Sequence, residues 1–183
     1  ASQRSKLLES VLPKSIVDRM ESGENKIVDQ FSDATVVFAD ICDFTQFSMQ
    51  THAGESIKLL EDLFGAFDKV IAKYDLEKIK TIGDCYMFVS GVPDSKVDHC
   101  KRAVDAALDL IFETQQIARK LDQDLNIRVG VHSGPLVGGV VGNLRFVYDV
   151  WGETVNMASR IEEAGKPGKV TVSQAVIDRI DDE

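Results

Sequence analysis

Three groups of residues have the types and spacing to handle charge and phosphate. Asp40 ends the mainly apolar run Ala34-Thr-Val-Val-Phe-Ala39 and precedes Ile41-Cys-Asp-Phe-Thr45. A carboxylate at the end of a buried strand, beside a tight loop, can hold a hard cation while the loop offers backbone N–H groups to phosphate. An Asp so placed also serves simply as a helix cap. Asp84 lies in Lys80-Thr-Ile-Gly-Asp-Cys85, at a Gly-Asp pair that is ordinary turn chemistry. A hairpin lying beside the first strand would nevertheless bring Asp84 to Asp40 across 44 residues, and two carboxylates at one sheet end suit a divalent cation. Asn156 and Arg160, four apart in a helical pattern, share a face. Together they can orient a ribose and neutralise a phosphate, or form a solvated helix face.

The elements that must position these residues follow from periodicity. Leu7, Leu8, Val11, Leu12, Ile16, Val17 and Met20 recur at helical spacing, interrupted at Pro13, which predicts two short helical pieces or a kink. Such a segment either covers one edge of the domain or connects it to something upstream. A polar stretch, 21–33, leads into the strand at 34–39. Amphipathic helices are predicted at 56–73 and 97–121. Strand pairs are predicted at 78–82 with 85–90, and at 127–132 with 136–141, the second joined at Ser133-Gly-Pro135. A strand at 146–151, a helix at 154–163 ending near Gly165, a strand at 170–173 and a terminal helix complete the order. Strand, helix, strand pair, helix, strand is a βαββαβ arrangement, predicting an α+β ferredoxin-like sandwich. The expected division is an N-terminal connecting helix and linker at 1–32 and a domain at 33–183.

Composition narrows the function classes. The 183 residues carry 21 Lys+Arg against 30 Asp+Glu, a net charge of −9, which argues against a binder of duplex nucleic acid or of an anionic membrane surface, both of which want a basic face. No nucleic-acid partner is expected. An anionic small molecule is compatible only if cations are supplied locally. Cys42, Cys85 and Cys100 are odd in number and scattered without a CxxC pair, so they read as reduced thiols rather than disulfides or a zinc site. No signal-peptide pattern and no run of about 18 apolar residues occurs, so no membrane contact is expected of this chain and a cytoplasmic setting is, a larger membrane-bound parent remaining open. The glycines at 134, 138, 139 and 142 match neither dinucleotide nor P-loop spacing and are expected to permit close backbone approach. His132-Ser133, adjacent in a strand, is poor geometry for a nucleophile and its base. His52 and His99 have no partners at ligand spacing and read as surface or packing residues.

Four longer motifs occur in order: Phe38-Ala-Asp-Ile-Cys-Asp-Phe-Thr45, Glu77-Lys-Ile-Lys-Thr-Ile-Gly-Asp-Cys-Tyr-Met87, Arg128-Val-Gly-Val-His-Ser-Gly134 and Tyr148-Asp-Val-Trp-Gly-Glu-Thr-Val-Asn-Met-Ala-Ser-Arg160. Together they resemble the catalytic domain of class III adenylyl and guanylyl cyclases, over about Asp33 to the C-terminus. The segment Leu7-Leu-Glu-Ser-Val-Leu-Pro13 resembles the connecting helix that precedes such domains. The resemblance implies conversion of ATP to 3′,5′-cyclic AMP and pyrophosphate. It assigns Asp40, Asp84 and the Ile41 carbonyl to two divalent cations, Mg²⁺ or Mn²⁺. Backbone N–H groups of Phe44 and Thr45 would meet the phosphates, Arg128 the terminal phosphates, Asn156 the ribose, and Arg160 the charge gathering on the α-phosphate. With that site accepted, Lys80, donor-only, and Asp149, acceptor-only, complement adenine and not guanine. Guanylyl members of the family differ at both positions, with an acidic residue at that of Lys80 and a small polar one at that of Asp149. The alternatives are a guanylyl cyclase, or a catalytically silent dimerisation and signalling domain; the latter is expected to lose one of these residues, and none is lost.

The resemblance further implies that the metal-holding aspartates and the Lys80, Asp149, Asn156 and Arg160 set serve different active sites. One chain carrying both sets then acts as a head-to-tail homodimer with shared sites. Two departures from the family pattern stand out. Asp43 occupies a position usually held by Gly; an extra carboxylate there can repel triphosphate, assist a metal or point to solvent, and solvent is the expectation, with weakened nucleotide binding next. The chain also stops at Glu183, ahead of a Lys-Gly-Lys-Gly type segment that supplies a triphosphate-binding lysine, so the domain is expected to lack its extreme C-terminal part.

Overall fold

The computed structural model describes residues 3–183. Helices α1 (Gln3–Glu9) and α2 (Lys14–Glu21) flank Pro13, whose fixed φ suits the residue before a helix. Leu12, Ile16 and Val17 are buried, so α2 is seated on the sheet. Strand β1 (Val28–Ile41) follows, then α3 (Phe44–Gln50), α4 (Ala53–Lys73), β2 (Glu77–Ile82), β3 (Cys85–Ser90), α5 (His99–Leu121), β4 (Ile127–Val141), β5 (Val147–Trp151), α6 (Glu153–Ala164), β6 (Val170–Val172) and α7 (Gln174–Asp182).

The sheet runs β2-β3-β1-β4-β5, with β6 joining β4 in parallel beside the half that β5 leaves free. The order 2-3-1-4 over βαββαβ is the ferredoxin-like α+β arrangement expected. Ala34 to Ala39 is buried on both faces. Val37 and Ala39 pack under α4 and α5 with Phe67, Phe88 and Leu110. Val36 and Phe38 pack under α2 and α6 with Ile16, Met87 and Ala158. Residues Cys100, Ala103, Ala106 and Ala107 keep α5 close to the sheet.

Two expectations are corrected. The strand pair expected at 127–132 and 136–141 is one continuous strand, β4, passing through Ser133-Gly-Pro135. Proline survives there because Phe31 pairs with Leu136 and Ala34 with Gly134, so Ser32 and Asp33 bulge out opposite Pro135, which has no N–H to offer a ladder. The first strand starts at Val28, not Ala34, since its early half alternates exposed and half-covered positions and so carries the polar residues Asp29, Gln30, Ser32 and Asp33 instead of an apolar run. The expected division at 32/33 falls inside this strand, at the bulge. Helix α3 was not expected at all, its seven residues being too few to display a period.

Candidate active site

The ladder register brings the first acidic group together. Asp40 stands opposite Cys85 on β3 and opposite Arg128 on β4. Gly83 takes φ +59, the left-handed value a tight turn needs, and the turn carries Asp84 to the sheet end, where its carbonyl accepts a hydrogen bond from the Ile41 N–H at 3.3 Å. Asp40, Ile41, Asp43, Phe44, Thr45, Asp84 and Arg128 thus line a single cavity of about 630 Å³.

Its electrostatics are unbalanced. The Asp40 Oδ1 atom is buried and accepts no hydrogen bond. Burial, with the neighbouring Asp84 charge, pushes the Asp40 carboxyl up to about 6. Two crowded carboxylates, an orphaned oxygen and a nearby backbone carbonyl are a hard-oxygen donor set, and it fits a divalent cation such as Mg²⁺ or Mn²⁺. The guanidinium lining the cavity, Arg128, reaches Asp40 Oδ2 at only 3.7 Å, while its Nε donates to Glu162 Oε2 at 3.2 Å and a terminal nitrogen lies 3.1 Å from the same oxygen. Glu162 is 4% exposed, and burial pushes its carboxyl up to about 7 against the opposing Arg128 charge. Asp43 is exposed, as expected, and adopts φ 58. This left-handed backbone is the physical reason a glycine suits the position. The Asp43 side chain does not cap α3.

The second set lies elsewhere on the chain. Lys80 on β2 and Asp149 on β5 belong to the two ends of the strand order, yet the curled sheet brings β2 and β5 into contact. Lys80 Nζ donates to Asp149 Oδ2 at 2.9 Å, and the Val150 N–H donates to the other oxygen at 2.8 Å. Asn156 and Arg160 are exposed on α6, and Arg160 reaches only Glu153, at 3.2 Å. None of these four residues lines the cavity of Asp40 and Asp84.

A family model for the adenylate and guanylate cyclase catalytic domain matches residues 27–183. The chain belongs to this cyclase family. An adenylate cyclase of Mycobacterium tuberculosis is 41% identical over 178 residues, which cover 97% of this chain and 40% of that protein. The chain therefore spans about two fifths of the curated relatives it matches first. Among solved structures, the catalytic core of a rhodopsin-guanylyl cyclase with converted specificity, in complex with ATPαS, is 36% identical with a TM-score of 0.80, covering 84% of this chain and 83% of that one. The adenylyl cyclase CyaB of P. aeruginosa is 27% identical with a TM-score of 0.81, covering 85% and 83%. The cyclase domain thus has relatives of both base preferences.

Sequence reasoning missed Glu162. The available signal was a stripe on α6, where Thr154, Ala158 and Glu162, four residues apart, are the buried positions, so a carboxylate ends an otherwise small, buried row. Burial raises the Cys42 thiol, and raises that of Cys85 to about 12, which disfavours the nucleophilic thiolate. His99 is buried, as one of the two expected alternatives had it, and donates or accepts at both nitrogens, toward Thr35 Oγ1 at 2.7 Å and Asp33 at 3.2 Å. That engagement removes the neighbouring His99, Cys100 and Glu183 group from consideration as a metal site, since Glu183 also accepts the Cys100 and Lys101 N–H groups.

Proposed function

We propose that this cyclase domain is an adenylyl cyclase that converts ATP to 3′,5′-cyclic AMP and pyrophosphate at sites shared between two head-to-tail copies. The observation that carries the reading is the separation of two complementary half-sites on one chain. An acidic cavity with Asp40, Asp84 and Arg128 fits cations and a triphosphate. The pair Lys80–Asp149 and the exposed Asn156 and Arg160 fit the base, the ribose and the reacting phosphate. A second copy is what joins them.

In this reading Asp40, Asp84 and the Ile41 carbonyl hold two divalent cations, and those cations supply acidification of the ribose 3′-hydroxyl and charge neutralisation of the triphosphate. Arg128 and the Phe44 and Thr45 N–H groups orient the β- and γ-phosphates. Lys80 donates to N1 of adenine and Asp149 accepts from the 6-amino group. Asn156 holds the ribose so that its 3′-oxygen faces the α-phosphorus, and Arg160 stabilises the charge that develops there. The 3′-oxygen–phosphorus bond forms as the bond to the bridging oxygen breaks; pyrophosphate leaves and the hydroxyl proton passes to solvent. Guanine would set its N1–H against Lys80 and its O6 against Asp149, leaving polar groups unpaired at about 1–3 kcal/mol each.

The test is cyclic nucleotide formation from ATP and from GTP, with Mg²⁺ and then Mn²⁺, over a series of protein concentrations. Cyclic AMP alone, with specific activity rising with concentration, is the expected result. Equal turnover of GTP would overturn the base assignment, and activity independent of dilution would overturn the shared site.

A further inference from the structure

The β1–β4 register sets a cation directly across from a metal-binding carboxylate: Asp40 and Arg128 are ladder partners. An arginine so close is expected to close a bidentate pair with Asp40. It does not. The nearest approach is 3.7 Å, beyond hydrogen-bond range, and Asp40 Oδ1 has no hydrogen-bond partner among the described residues. The guanidinium instead donates its Nε–H to Glu162 and sets a terminal nitrogen in ion-pair contact with the same oxygen; the Glu162 side chain is 5% exposed while those of Arg128 and Asp40 are each 28% exposed. Glu162 reaches that point because α6 lies directly on β4: a Cβ at Gly130 would stand 2.3 Å from the Glu162 backbone nitrogen.

We propose that Glu162 is a positioning residue that holds Arg128 off Asp40, keeping the carboxylate open to a divalent cation and the guanidinium open to the triphosphate. This rests on the cyclase reading above for the identity of the ligands, while the contest for Arg128 stands on the geometry alone. Without the Glu162 charge, Arg128 falls onto Asp40 and an incoming cation must displace it. A charge-assisted hydrogen bond of ordinary strength makes that a loss of about ten- to a hundredfold in cation affinity. Helix α6 also carries Asn156 and Arg160, so the residue that sets Arg128 in one half-site belongs to the element that presents the other.

The experiment is titration of the nucleotide-free chain with Mn²⁺ at pH 8, followed by electron paramagnetic resonance of the free ion. Glu162→Gln, which keeps the volume and removes the charge, is expected to weaken Mn²⁺ binding at least tenfold. Arg128→Ala is expected to bind Mn²⁺ at least as tightly as the unaltered chain, because a competing cation has gone. The double variant is expected to recover to within about threefold of the unaltered chain. A Glu162 that merely packs α6 would leave the double variant as weak as the single one, and that result overturns the proposal. So does undiminished binding by Glu162→Gln. Should that variant fail to fold, weakened binding by Arg128→Ala overturns the proposal by itself. In turnover, Glu162→Gln is expected to raise the metal requirement and the KM for ATP more than it lowers kcat at saturating metal. Absence of any cyclic nucleotide product from the unaltered chain would sink the cyclase reading and leave the Mn²⁺ titration to decide this one.

Discussion

Replacing Gly130 by Ala tests how tightly the fold ties its chemistry to one helix seat. The added Cβ would meet the Glu162 backbone nitrogen at 2.3 Å and its Cα at 2.5 Å, where ordinary contact begins at 3.4 Å, so something must yield by about 1 Å. Strand β4 is not free to do so, because Gly130 is paired with Phe38 on β1 and with Thr171 on β6. Helix α6 must lift instead. Overpacking of this kind costs about 1–3 kcal/mol, which lowers Tm by roughly 2–12 °C in a chain of this size. The same displacement moves Asn156 and Arg160, which the proposed function sets at the reacting phosphate, and there about 1 Å is worth roughly a hundredfold in rate. Gly134→Ala is the control, since its Cβ meets only the Thr154 hydroxyl, at 2.6 Å, which can rotate away at the loss of its bond to the Pro135 carbonyl. Thermal melts and steady-state cyclic AMP formation measure both variants. The expected result is a near-hundredfold fall in kcat for Gly130→Ala and a few-fold fall at most for Gly134→Ala. A kcat for Gly130→Ala within twofold of the unaltered chain, or equal losses in the two variants, would refute the reasoning.

Three further outcomes follow from the same geometry. Lys80→Glu with Asp149→Cys is expected to erode the preference for ATP over GTP in competition assays, and unchanged turnover of ATP alone would remove the base-reading role from the pair. Asp40 is raised to about 6 by burial and by Asp84, so the metal-free folded chain binds more protons than the unfolded one between about pH 4 and pH 6. Asp40 therefore contributes a loss of stability, up to about 3 kcal/mol, as pH rises through that window, and cation affinity rises over the same range; melts in EDTA from pH 4.5 to 8 should show a shallower decline in Asp40→Asn. Thr35, fully buried, bridges His99 Nδ1 and Ser133 Oγ at 2.7 Å each. Thr35→Val leaves His99 Nδ1 unpaired and Ser133 Oγ with only the Cys100 thiol, at 3.0 Å. The orphaned imidazole nitrogen costs about 1–3 kcal/mol, so the variant is expected to lower Tm without changing the KM for ATP, since it sits five residues, about 17 Å, along β1 from Asp40.

What could be read from sequence was what local periodicity and motif order carry. The helices at α4 and α5, the β2–β3 hairpin and the βαββαβ order come from patterns of 3.6 and 2 that survive in a single chain. Pro135 misled because a proline reads as a break unless the opposite strand is known to bulge, and the bulge at Ser32-Asp33 is a property of the pair. The meeting of Asp40 with Asp84 could be raised as a possibility from strand order, but Arg128 opposite Asp40 depends on the register of strands some 90 residues apart. Asp43 was visible as a departure from a family glycine, and only φ 58 explains why glycine belongs there. Glu162 was invisible for a different reason: a carboxylate on an amphipathic helix is read as solvent-facing, and burial by Gly130 cannot be seen from either residue alone.

The charge inventory of the cavity carries the argument for a second copy furthest. Its lining holds three carboxylates, Asp40, Asp43 and Asp84, against one guanidinium that Glu162 already engages. A polyanionic triphosphate gains nothing there until cations enter, and the further guanidinium of the proposed machinery, Arg160, is outside the cavity, exposed and paired only with the exposed Glu153. If a partner's α6 completes the site, two defective chains must repair each other. A chain with Asp40→Ala and Asp84→Ala keeps Lys80, Asn156 and Arg160; a chain with Asn156→Ala and Arg160→Ala keeps the acidic cavity. Each alone is expected to be inactive. Mixed in equal amounts, half of randomly formed dimers combine the two, and each combined dimer has one intact site of two, so about a quarter of the unaltered activity returns. Activity of either variant by itself would place all the chemistry within one chain. A mixture as silent as its components, with mixed dimers demonstrated by cross-linking, would mean that the two half-sites never face each other.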